Sequence, residues 1–294
     1  MYRDPRFQRV EVRPATGSIG AEIVGVDLAS HPDDATFEEV HRALHVYKAL
    51  SIRDQKLDPQ SLHEVARRFG PFSGNPVHIP VEGFDDIVRF VREPDETGKV
   101  IGEDWHMDLA WMEKPPGITM LYGEVIPPVG GDTFFASLEH AYNYLSDGMK
   151  ALIADLVGVH CGKGVFANNA AHKHLGVRTE ATRVDDIETE HPLVCAHPHT
   201  GKPYIFVSGV LRRFKGMTEA ESKPIIDHLI SVATRPEFTC RLRWQQGTLT
   251  IWDNPHVLHT AINDYSGYRR ITYRTTVEGA VPRAAKAVPM SRAA

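Results

Sequence analysis

The sequence predicts a mostly β protein with flanking helices, arranged as a double-stranded β-helix, or jelly roll. Three segments of the last third, Thr239–Trp244, Thr248–Trp252 and Arg270–Val277, are rich in β-branched and aromatic residues. Turn residues separate them at Gly247 and at Ser266–Gly267. The chain shows no regular alternation of strands and helices, so an antiparallel assembly with helices packed outside it is favoured over a parallel sheet.

The first elements follow from apolar spacing and turn residues. Residues Phe7–Leu28 alternate between apolar and polar side chains and predict short strands joined by turns. An apolar stripe at helical spacing predicts a helix over Asp34–Tyr47, and Ala49–Ile52 has the composition of a buried strand. The next helix should begin after the N-cap Asp58, which a proline follows, and end at Gly70.

Two further helices interrupt the later strands. One is predicted over Leu138–Val157. The other should begin near Thr218, because Glu221 completes a capping box, although Pro224 inside it leaves the start open. Residues 162–190 are polar and lack a clear period, which predicts a long excursion or lid.

Composition excludes several classes of protein. The 294 residues carry a net charge of −5 and no basic block, which argues against nucleic acid and an anionic membrane surface as partners. No apolar run is long enough to span a bilayer, and we expect a cytoplasmic protein. Three widely spaced cysteines predict no disulfide framework. Residues 1–279 are expected to form one domain and residues 280–294 a flexible tail.

A metal pair is suggested by His106 and Asp108. On an extended strand a separation of two places both side chains on the same face. His259, just past a predicted strand, is a candidate third ligand. Two imidazoles and one carboxylate leave positions open for oxygen chemistry at iron(II). An H-x-D pair by itself is a weak signal.

Two arginines could face the same pocket. Arg270 and Arg274 are four apart on one predicted strand and share a face. No acidic residue lies between Tyr265 and Val277, so an anionic ligand could satisfy these guanidinium groups. The alternative is a pair of solvated charges at a strand edge. The segment Gly130–Thr133 adds a tight turn and a hydroxyl group.

These motifs together resemble the TauD/TfdA family of iron(II)- and 2-oxoglutarate-dependent dioxygenases, which includes taurine dioxygenase and the aryloxyalkanoate dioxygenases. The resemblance covers residues 8–279. It rests on Trp105-His106-Met107-Asp108, Gly130-Gly131-Asp132-Thr133, Trp252-Asp253-Asn254, His259, Arg270 and Arg274, which occur in the family order and spacing.

The resemblance implies which residues bind the metal. It makes His106, Asp108 and His259 the ligands of Fe(II), with 2-oxoglutarate and O2 as cosubstrates. It also implies a homo-oligomer, without fixing its size.

The resemblance likewise implies how the cosubstrate is held. Thr133 and Arg270 would bind the distal carboxylate of 2-oxoglutarate, whose other end chelates the metal. Arg274 would lie near either the inner carboxylate of the cosubstrate or the anionic group of the substrate, and both roles stay open.

The expected substrate is a small organic anion with a larger apolar body than taurine. Taurine dioxygenase has histidine, tyrosine and asparagine at the positions of Asn75, His78 and Gly102. A site that lacks such polar partners selects less strongly for a polar substrate. The candidate substrate-binding residues are Asn75, His78, Arg274 and Trp111, the last as a wall of the pocket. We expect hydroxylation beside an ether oxygen or sulfur with C–O or C–S cleavage, as for a phenoxypropionate or an alkyl sulfate-like compound.

Three alternatives remain at this point. One is a dioxygenase for taurine or another sulfonate. A halogenase is disfavoured because Asp108 is present, whereas that chemistry needs a small residue there. A jelly-roll protein that binds a metal or an anion without turnover would bind 2-oxoglutarate yet release no succinate.

The other histidines of this chain, which has 16, are expected to be structural. His41 and His45 fall on the first helix and should be solvated or half-buried, and His197 and His199 are interpreted as loop residues. His256 precedes His259 by three residues and could either support a metal ligand or pack in the core.

Overall fold

The structure is a computed structural model that describes residues 2–162 and 187–285. The strands in this part of the chain are β1 (Glu11–Pro14), β2 (Ala21–Val24), β3 (Ala49–Ile52), β4 (Val88–Arg92), β5 (Ile118–Val125), β6 (Thr133–Ser137), β7 (Val157–Cys161), β8 (Glu188–Pro192), β9 (Val194–Ala196), β10 (Pro203–Ile205), β11 (Leu211–Phe214), β12 (Thr239–Leu242), β13 (Leu249–Asp253), β14 (Val257–Ala261) and β15 (Arg270–Val277). The helices are α1 (Asp34–Tyr47), α2 (Pro59–Arg67), α3 (Leu138–Tyr144), α4 (Asp147–Ile153) and α5 (Glu219–Ala233).

Two sheets form the centre of the described chain. A seven-stranded sheet has the order β1-β2-β3-β13-β5-β15-β4, and a three-stranded sheet has the order β12-β6-β14. Neighbouring strands in both sheets are antiparallel except β2 and β3. Phe135, Trp252 and Val257 belong to one buried apolar cluster drawn from both sheets. The prediction of a mostly β protein with flanking helices is confirmed.

The first two helices cover one face of the large sheet. Helix α1 has the predicted bounds because Asp33 caps its N-terminus and Lys48 ends it in a left-handed conformation at φ 64°. Its stripe, including Phe37 and Leu44, is buried in a core shared with α2 and the sheet. Asp58 caps α2 through a capping box with Ser61.

The predicted helix over Leu138–Val157 is wrong as a single element. The chain forms α3 and α4, and Leu145 between them is extended with ψ 143°. Ser146 then caps α4 by accepting a hydrogen bond from the Met149 amide at 3.2 Å. The local N-cap signal therefore overrides the continuous apolar period, and Val157 begins a strand.

Helix α5 begins at Glu219, with the predicted capping box between Thr218 and Glu221. Pro224 lies inside the helix rather than at its start. The capping box places the start five residues before the proline, which settles the boundary that the sequence left open.

The C-terminal segment pairs with the fold further than predicted. Within the expected tail, the Ala196 amide donates to the Arg283 carbonyl and the Ala285 amide donates to Val194. The division into a domain over residues 1–279 and a tail over residues 280–294 stays a prediction. Residues 286–294, and residues 163–186 of the predicted excursion, lie outside the described residues. No helix in residues 2–162 and 187–285 is both long and apolar enough to cross a membrane.

Candidate active site

His106 and His259 lie opposite each other at the junction of a loop and a strand. His106 is in the loop between β4 and β5, and it pairs with His259 of β14 through an isolated antiparallel bridge. The two residues exchange backbone hydrogen bonds of 3.0 and 2.8 Å. The prediction that His106 and Asp108 lie on one extended strand is wrong, because this bridge, rather than a full ladder, brings the loop to the sheet.

The three predicted metal ligands come together. The Nε2 atoms of His106 and His259 lie 3.8 and 3.9 Å from Oδ1 of Asp108. The ring centroids of the two histidines are 4.0 Å apart. One ligand atom from each residue lies within 4.8 Å of the others, so the group could hold a metal ion. Two imidazoles and one carboxylate are a donor set that suits iron(II) with open positions.

Two neighbours hold Asp108 in place. The Thr119 hydroxyl on β5 donates to Asp108 Oδ2 at 2.9 Å. The Asn254 side chain accepts from the Asp108 amide and donates to its carbonyl, both at 3.0 Å. Oδ1 of Asp108 therefore faces the two histidines. Neither role can be predicted from the sequence: Asn254 belongs to the Trp252-Asp253-Asn254 motif but lies far from Asp108 in the chain, and nothing in the sequence around Thr119 indicates its partner.

The hydrogen bonds of His106 favour metal binding through its Nε2 atom. Its Nδ1 lies 2.8 Å from the Asp104 carbonyl oxygen, which can only accept a hydrogen bond. Nδ1 therefore carries the proton and Nε2 keeps its lone pair, facing Asp108. Burial, aided by the neighbouring His106, lowers the pKa of His259 to about 3, so this imidazole is neutral near pH 7.

Asp108 is ionised although it is buried. Burial by itself would raise the pKa of this carboxyl group, but the Arg274 guanidinium, His259, His106 and the Thr119 hydroxyl together lower it below its ordinary value. A buried carboxylate faced by cationic and neutral nitrogen groups is ready to bind a cation without first losing a proton.

A cavity between the two sheets contains this group. Its volume is about 1060 Å³ including the open mouth, and His106, Asp108 and His259 line it. The loop between β4 and β5 also contributes, from Glu96 to Gly102. Apolar side chains such as Phe135 and Trp252 form part of the wall, so the cavity offers both metal ligands and a dry surface.

Arg270 projects into the same cavity. Its Nε is buried and has no hydrogen-bond partner among the described residues, and its guanidinium lies 5.4 Å from the centroid of the Trp244 ring. Burial lowers the pKa of Arg270, while Tyr265 and Asp132 partly oppose the shift. A guanidinium group stays charged in such surroundings, so an unpaired donor of this kind suits a carboxylate ligand.

Thr133 lines the same cavity as Arg270. Its Oγ1 accepts a hydrogen bond from Trp244 Nε1 at 3.0 Å, which leaves the hydroxyl proton available as a donor. The preceding turn needs Gly130, where φ is +78° and an added Cβ would lie 2.5 Å from the Asp264 carbonyl oxygen.

Arg274 lies at the metal end of the cavity. Its Nη1 is 3.5 Å from Asp108 Oδ1, and its guanidinium is 4.9 Å from the Phe90 ring centroid. The expectation that no acidic residue occupies this arginine therefore fails, because Asp108 is distant in sequence but adjacent in space. Both arginines nevertheless line the cavity, as the strand spacing predicted.

The other predicted substrate residues do not line this cavity. Oδ1 of Asn75 accepts the amides of Val77 and His78, each at 2.9 Å, and so shapes its own loop. The buried His78 packs edge-on against Phe90, whose ring does line the cavity, at 5.4 Å between centroids. Trp111 is buried in a separate apolar cluster.

Gly102 does line the cavity and fits closely against a candidate ligand. Its φ is +78°, and a Cβ there would lie 2.9 Å from Cε1 of His106. A side chain at this position would strain the backbone and displace the imidazole. The glycine therefore allows the loop to pass directly over His106.

Comparisons with known proteins agree with this geometry. The family described as taurine catabolism dioxygenase TauD, TfdA family matches residues 11–276. An alkylsulfatase of Acinetobacter baylyi is 34% identical over 277 residues, which cover 93% of this chain and 86% of that protein. An alpha-ketoglutarate-dependent sulfate ester dioxygenase of Pseudomonas putida is 33% identical over 286 residues, covering 95% of this chain and 92% of that protein.

A solved structure is similar throughout. The crystal structure of a taurine dioxygenase from Burkholderia xenovorans has a TM-score of 0.78 and 31% sequence identity with this chain. The match covers 94% of this chain and 93% of that one.

Proposed function

We propose that this chain, which belongs to the TauD/TfdA family of dioxygenases, hydroxylates the carbon beside the ester oxygen of a small organic sulfate. Family membership makes the chain an oxidoreductase that uses Fe(II), 2-oxoglutarate and O2. The observation that carries the proposal is a single cavity containing the three metal-binding side chains and two arginines.

His106, Asp108 and His259 are the proposed iron ligands. The lone pair of His106 Nε2, the neutral His259 imidazole and the ionised Asp108 carboxylate are the protonation states that metal binding requires. Thr119 and Asn254 keep the carboxylate and its backbone in place before any ion binds. These two residues position Asp108.

Arg270 and Thr133 are the proposed partners of the distal 2-oxoglutarate carboxylate. The unpartnered, buried Nε of Arg270 supports this role, because a buried guanidinium is most stable when an anion accepts its hydrogen bonds. The Thr133 hydroxyl group can donate the neighbouring bond.

Arg274 is the proposed partner of the sulfate group of the substrate. In an alkyl sulfate the anionic group is one oxygen away from the carbon that reacts, so its cation must lie near the metal. Arg274 meets this condition, since its Nη1 is 3.5 Å from Asp108. The guanidinium over Phe90 also has one face covered by an aromatic ring, which orients it.

The proposed reaction converts an alkyl sulfate, 2-oxoglutarate and O2 into an aldehyde, hydrogen sulfate, succinate and CO2. Iron(II) with its cosubstrates supplies the oxidation, in which one oxygen atom enters succinate and the other becomes a hydroxyl on the substrate carbon. That hydroxylated sulfate ester breaks its C–O bond, and the sulfate leaves with the electron pair. Arg274 holds the leaving group, while Phe135 and Trp252 keep water from the reacting carbon.

Further parts of the assignment concern the surroundings of the site. We propose that Asn75, His78 and Trp111 shape the cavity wall from behind rather than touching substrate. We also propose that the two facing sheets form a jelly roll that acts as one domain. Homo-oligomer formation and a cytoplasmic location stay predictions.

The experiment is a panel of alkyl sulfates, alkyl sulfonates including taurine, and aryloxyalkanoates, scored by succinate release with iron(II), 2-oxoglutarate and O2. Alkyl sulfates should give the highest rates, with sulfate and succinate formed in equal amounts. Higher rates with taurine would support the sulfonate alternative, and higher rates with phenoxypropionates the aryloxyalkanoate alternative. Binding of iron and 2-oxoglutarate without succinate release on any compound would overturn the enzyme assignment.

The same assay tests the arginines. Arg270→Ala should raise the 2-oxoglutarate concentration needed for half-maximal rate by about 10- to 100-fold, the value of a charge-assisted hydrogen-bonded pair. The neighbouring Arg269→Ala is the matched control, because Arg269 is exposed and pairs with Glu93 at 3.0 Å. Arg274→Ala should instead raise the alkyl sulfate concentration required. If the Arg270→Ala variant needed no more 2-oxoglutarate than the unmodified chain, Arg270 would not be the partner of the distal carboxylate.

A further inference from the structure

Four side chains of the candidate active-site cavity form a continuous row of contacts. Trp244, Arg270, Tyr265 and Arg92 all line that cavity. The guanidinium carbon of Arg270 lies 5.4 Å from the Trp244 ring centroid and 6.0 Å from the Tyr265 ring centroid. That of Arg92 lies 5.2 Å from the Tyr265 centroid. Aromatic rings and guanidinium groups therefore alternate along this aromatic–arginine row, at distances where cation–π attraction acts.

The two arginines of the row differ in their hydrogen bonding. They are cross-strand partners, since Arg92 of β4 pairs with Arg270 of β15, and like charges in that position destabilise a sheet. Nη2 of Arg92 donates to the carbonyl oxygens of Glu96 and Gly98, at 3.1 and 3.4 Å. Nε of Arg270 is buried and has no hydrogen-bond partner among the described residues. Aromatic rings therefore support Arg270 while this donor stays free for an anion.

Tyr265 is held in place by the turn before β6. The residue is buried, and a Cβ on Gly131 would lie 3.2 Å from Cδ1 of its ring. The Gly131 amide also donates to Asp264 Oδ1 at 2.7 Å, which fixes the residue before the tyrosine. Gly131 has φ +68°, a conformation that favours glycine. The glycine turn therefore makes room for the Tyr265 ring, in addition to leading into Thr133.

Both ends of the row are anchored to other parts of the cavity. Trp244 Nε1 donates to Thr133 Oγ1 at 3.0 Å, so the ring next to Arg270 is bonded to the second proposed cosubstrate residue. At the other end, Arg92 is bonded to the loop between β4 and β5, which lines the cavity from residue 96 to residue 102. The row therefore joins the proposed 2-oxoglutarate site to this loop.

We propose that Tyr265 is a positioning residue for the cosubstrate. Its ring holds the Arg270 guanidinium in the orientation that receives the distal carboxylate of 2-oxoglutarate, and Arg92 supports the ring. The inference rests on the proposed role of Arg270. An arginine side chain loses rotamer freedom when it binds an anion, and one already held by aromatic rings loses less. The ring of Tyr265, rather than its hydroxyl group, therefore strengthens 2-oxoglutarate binding.

The test is calorimetric titration of 2-oxoglutarate into the full chain loaded with Fe(II), in the absence of O2. Tyr265→Leu should raise the Kd for 2-oxoglutarate about 3- to 10-fold, the cost of ordering one long side chain. Tyr265→Phe keeps the ring and should stay within about twofold of the unmodified chain. The matched control is Tyr268→Leu, which removes an exposed tyrosine of the same β14–β15 connection and should leave the Kd unchanged.

A second variant tests the same row from its other end. Arg92→Lys keeps the positive charge but lacks the planar guanidinium group, so it should raise the Kd by a smaller factor, about 2- to 3-fold. Fe(II) affinity should be unchanged in every variant, because no residue of the row is a proposed metal ligand. Urea unfolding checks that each variant is folded.

Three results would overturn this inference. The first is an unchanged Kd in folded Tyr265→Leu or, if that variant does not fold, in Arg92→Lys. The second is an equal loss in Tyr265→Phe and Tyr265→Leu, which would assign the effect to the hydroxyl group. The third is a parallel loss of Fe(II) affinity, which would indicate general disorder of the site. Failure of the proposed function is distinguishable, because the unmodified chain would then bind no 2-oxoglutarate or release no succinate.

Discussion

Asp108 and Asp253 are both buried carboxylates beside histidines, yet their bonding differs. One oxygen of Asp108 accepts the Thr119 hydroxyl, and the other has its nearest nitrogen neighbours at 3.5–3.9 Å. Both oxygens of Asp253 are hydrogen-bonded, to His197 and His256. The direction of the protons, rather than the residue types, therefore distinguishes a metal ligand from a hydrogen-bonded core group.

The two carboxylates should therefore respond in opposite ways to the same substitution. Asp108→Asn should weaken Fe(II) binding at least about 100-fold, because a neutral amide replaces a charged ligand, while the protein stays folded. Asp253→Asn should leave Fe(II) affinity near its original value but lower the free energy of unfolding by about 1–3 kcal/mol, the cost of unsatisfied buried groups. Calorimetric metal titration and urea unfolding measure the two effects. Equal loss of iron affinity in both variants would contradict the assignment of Asp108 as a metal ligand and Asp253 as a hydrogen-bonded core group.

The histidines around Asp253 should make the metal-free protein sensitive to acid. Burial, partly opposed by Asp253, lowers the pKa of His197 to about 4, from an ordinary value of 6.5. Between pH 6.5 and pH 4 the unfolded chain binds more protons at this residue, so stability falls as the pH is lowered through that window. His197 should account for a loss on the order of 2 kcal/mol between pH 7 and pH 4.5.

Urea unfolding of metal-free protein at several pH values measures this loss. His197→Gln should flatten the dependence on pH, while the exposed His228→Gln keeps it. An equally steep dependence in His197→Gln would show that other groups cause the loss.

The smallest expected effect concerns the hydroxyl group behind Asp108. Thr119→Val removes the donor to Oδ2 with little change in volume and should weaken Fe(II) binding about tenfold. Thr250→Val is the matched control, because Thr250 is a buried β13 residue whose hydroxyl has no hydrogen-bond partner among the described residues. Similar iron affinity in the two variants would mean that Thr119 does not position the carboxylate.

Local signals predicted much of the secondary structure. The apolar stripe predicted the bounds of α1, and the Thr218–Glu221 capping box predicted the start of α5. The prediction failed over Leu138–Val157, where Ser146 starts a new helix within an apolar period. Local caps and periods can be read from neighbouring residues, whereas competition between them depends on what each segment packs against.

Parts of the candidate site could also be predicted from local spacing, and other parts could not. The spacing of Arg270 and Arg274 predicted one face because a strand has a fixed period of two. The pairing of Arg274 with Asp108 and the support from Thr119 could not be predicted, because these partners lie 166 and 11 residues from Asp108 in the chain. Asn75 and His78 lie outside the cavity wall because their loop is shaped by its own hydrogen bonds, and Trp111 is buried in a separate apolar cluster.

The mostly β class and the capped helices α2 and α5 could be predicted from short spacings and residue chemistry. The candidate iron ligands came from the family resemblance, because His259 lies far from His106 and Asp108 in the chain. Which histidines lie together depends instead on contacts that form when the chain folds. His41 and His45 looked like surface residues, and His197 and His199 like loop residues, until β9 and α1 met at Asp253. The direction of a histidine proton, and whether a buried polar group has a hydrogen-bond partner, depend on contacts between segments that are distant in the chain. No local sequence pattern contains these contacts.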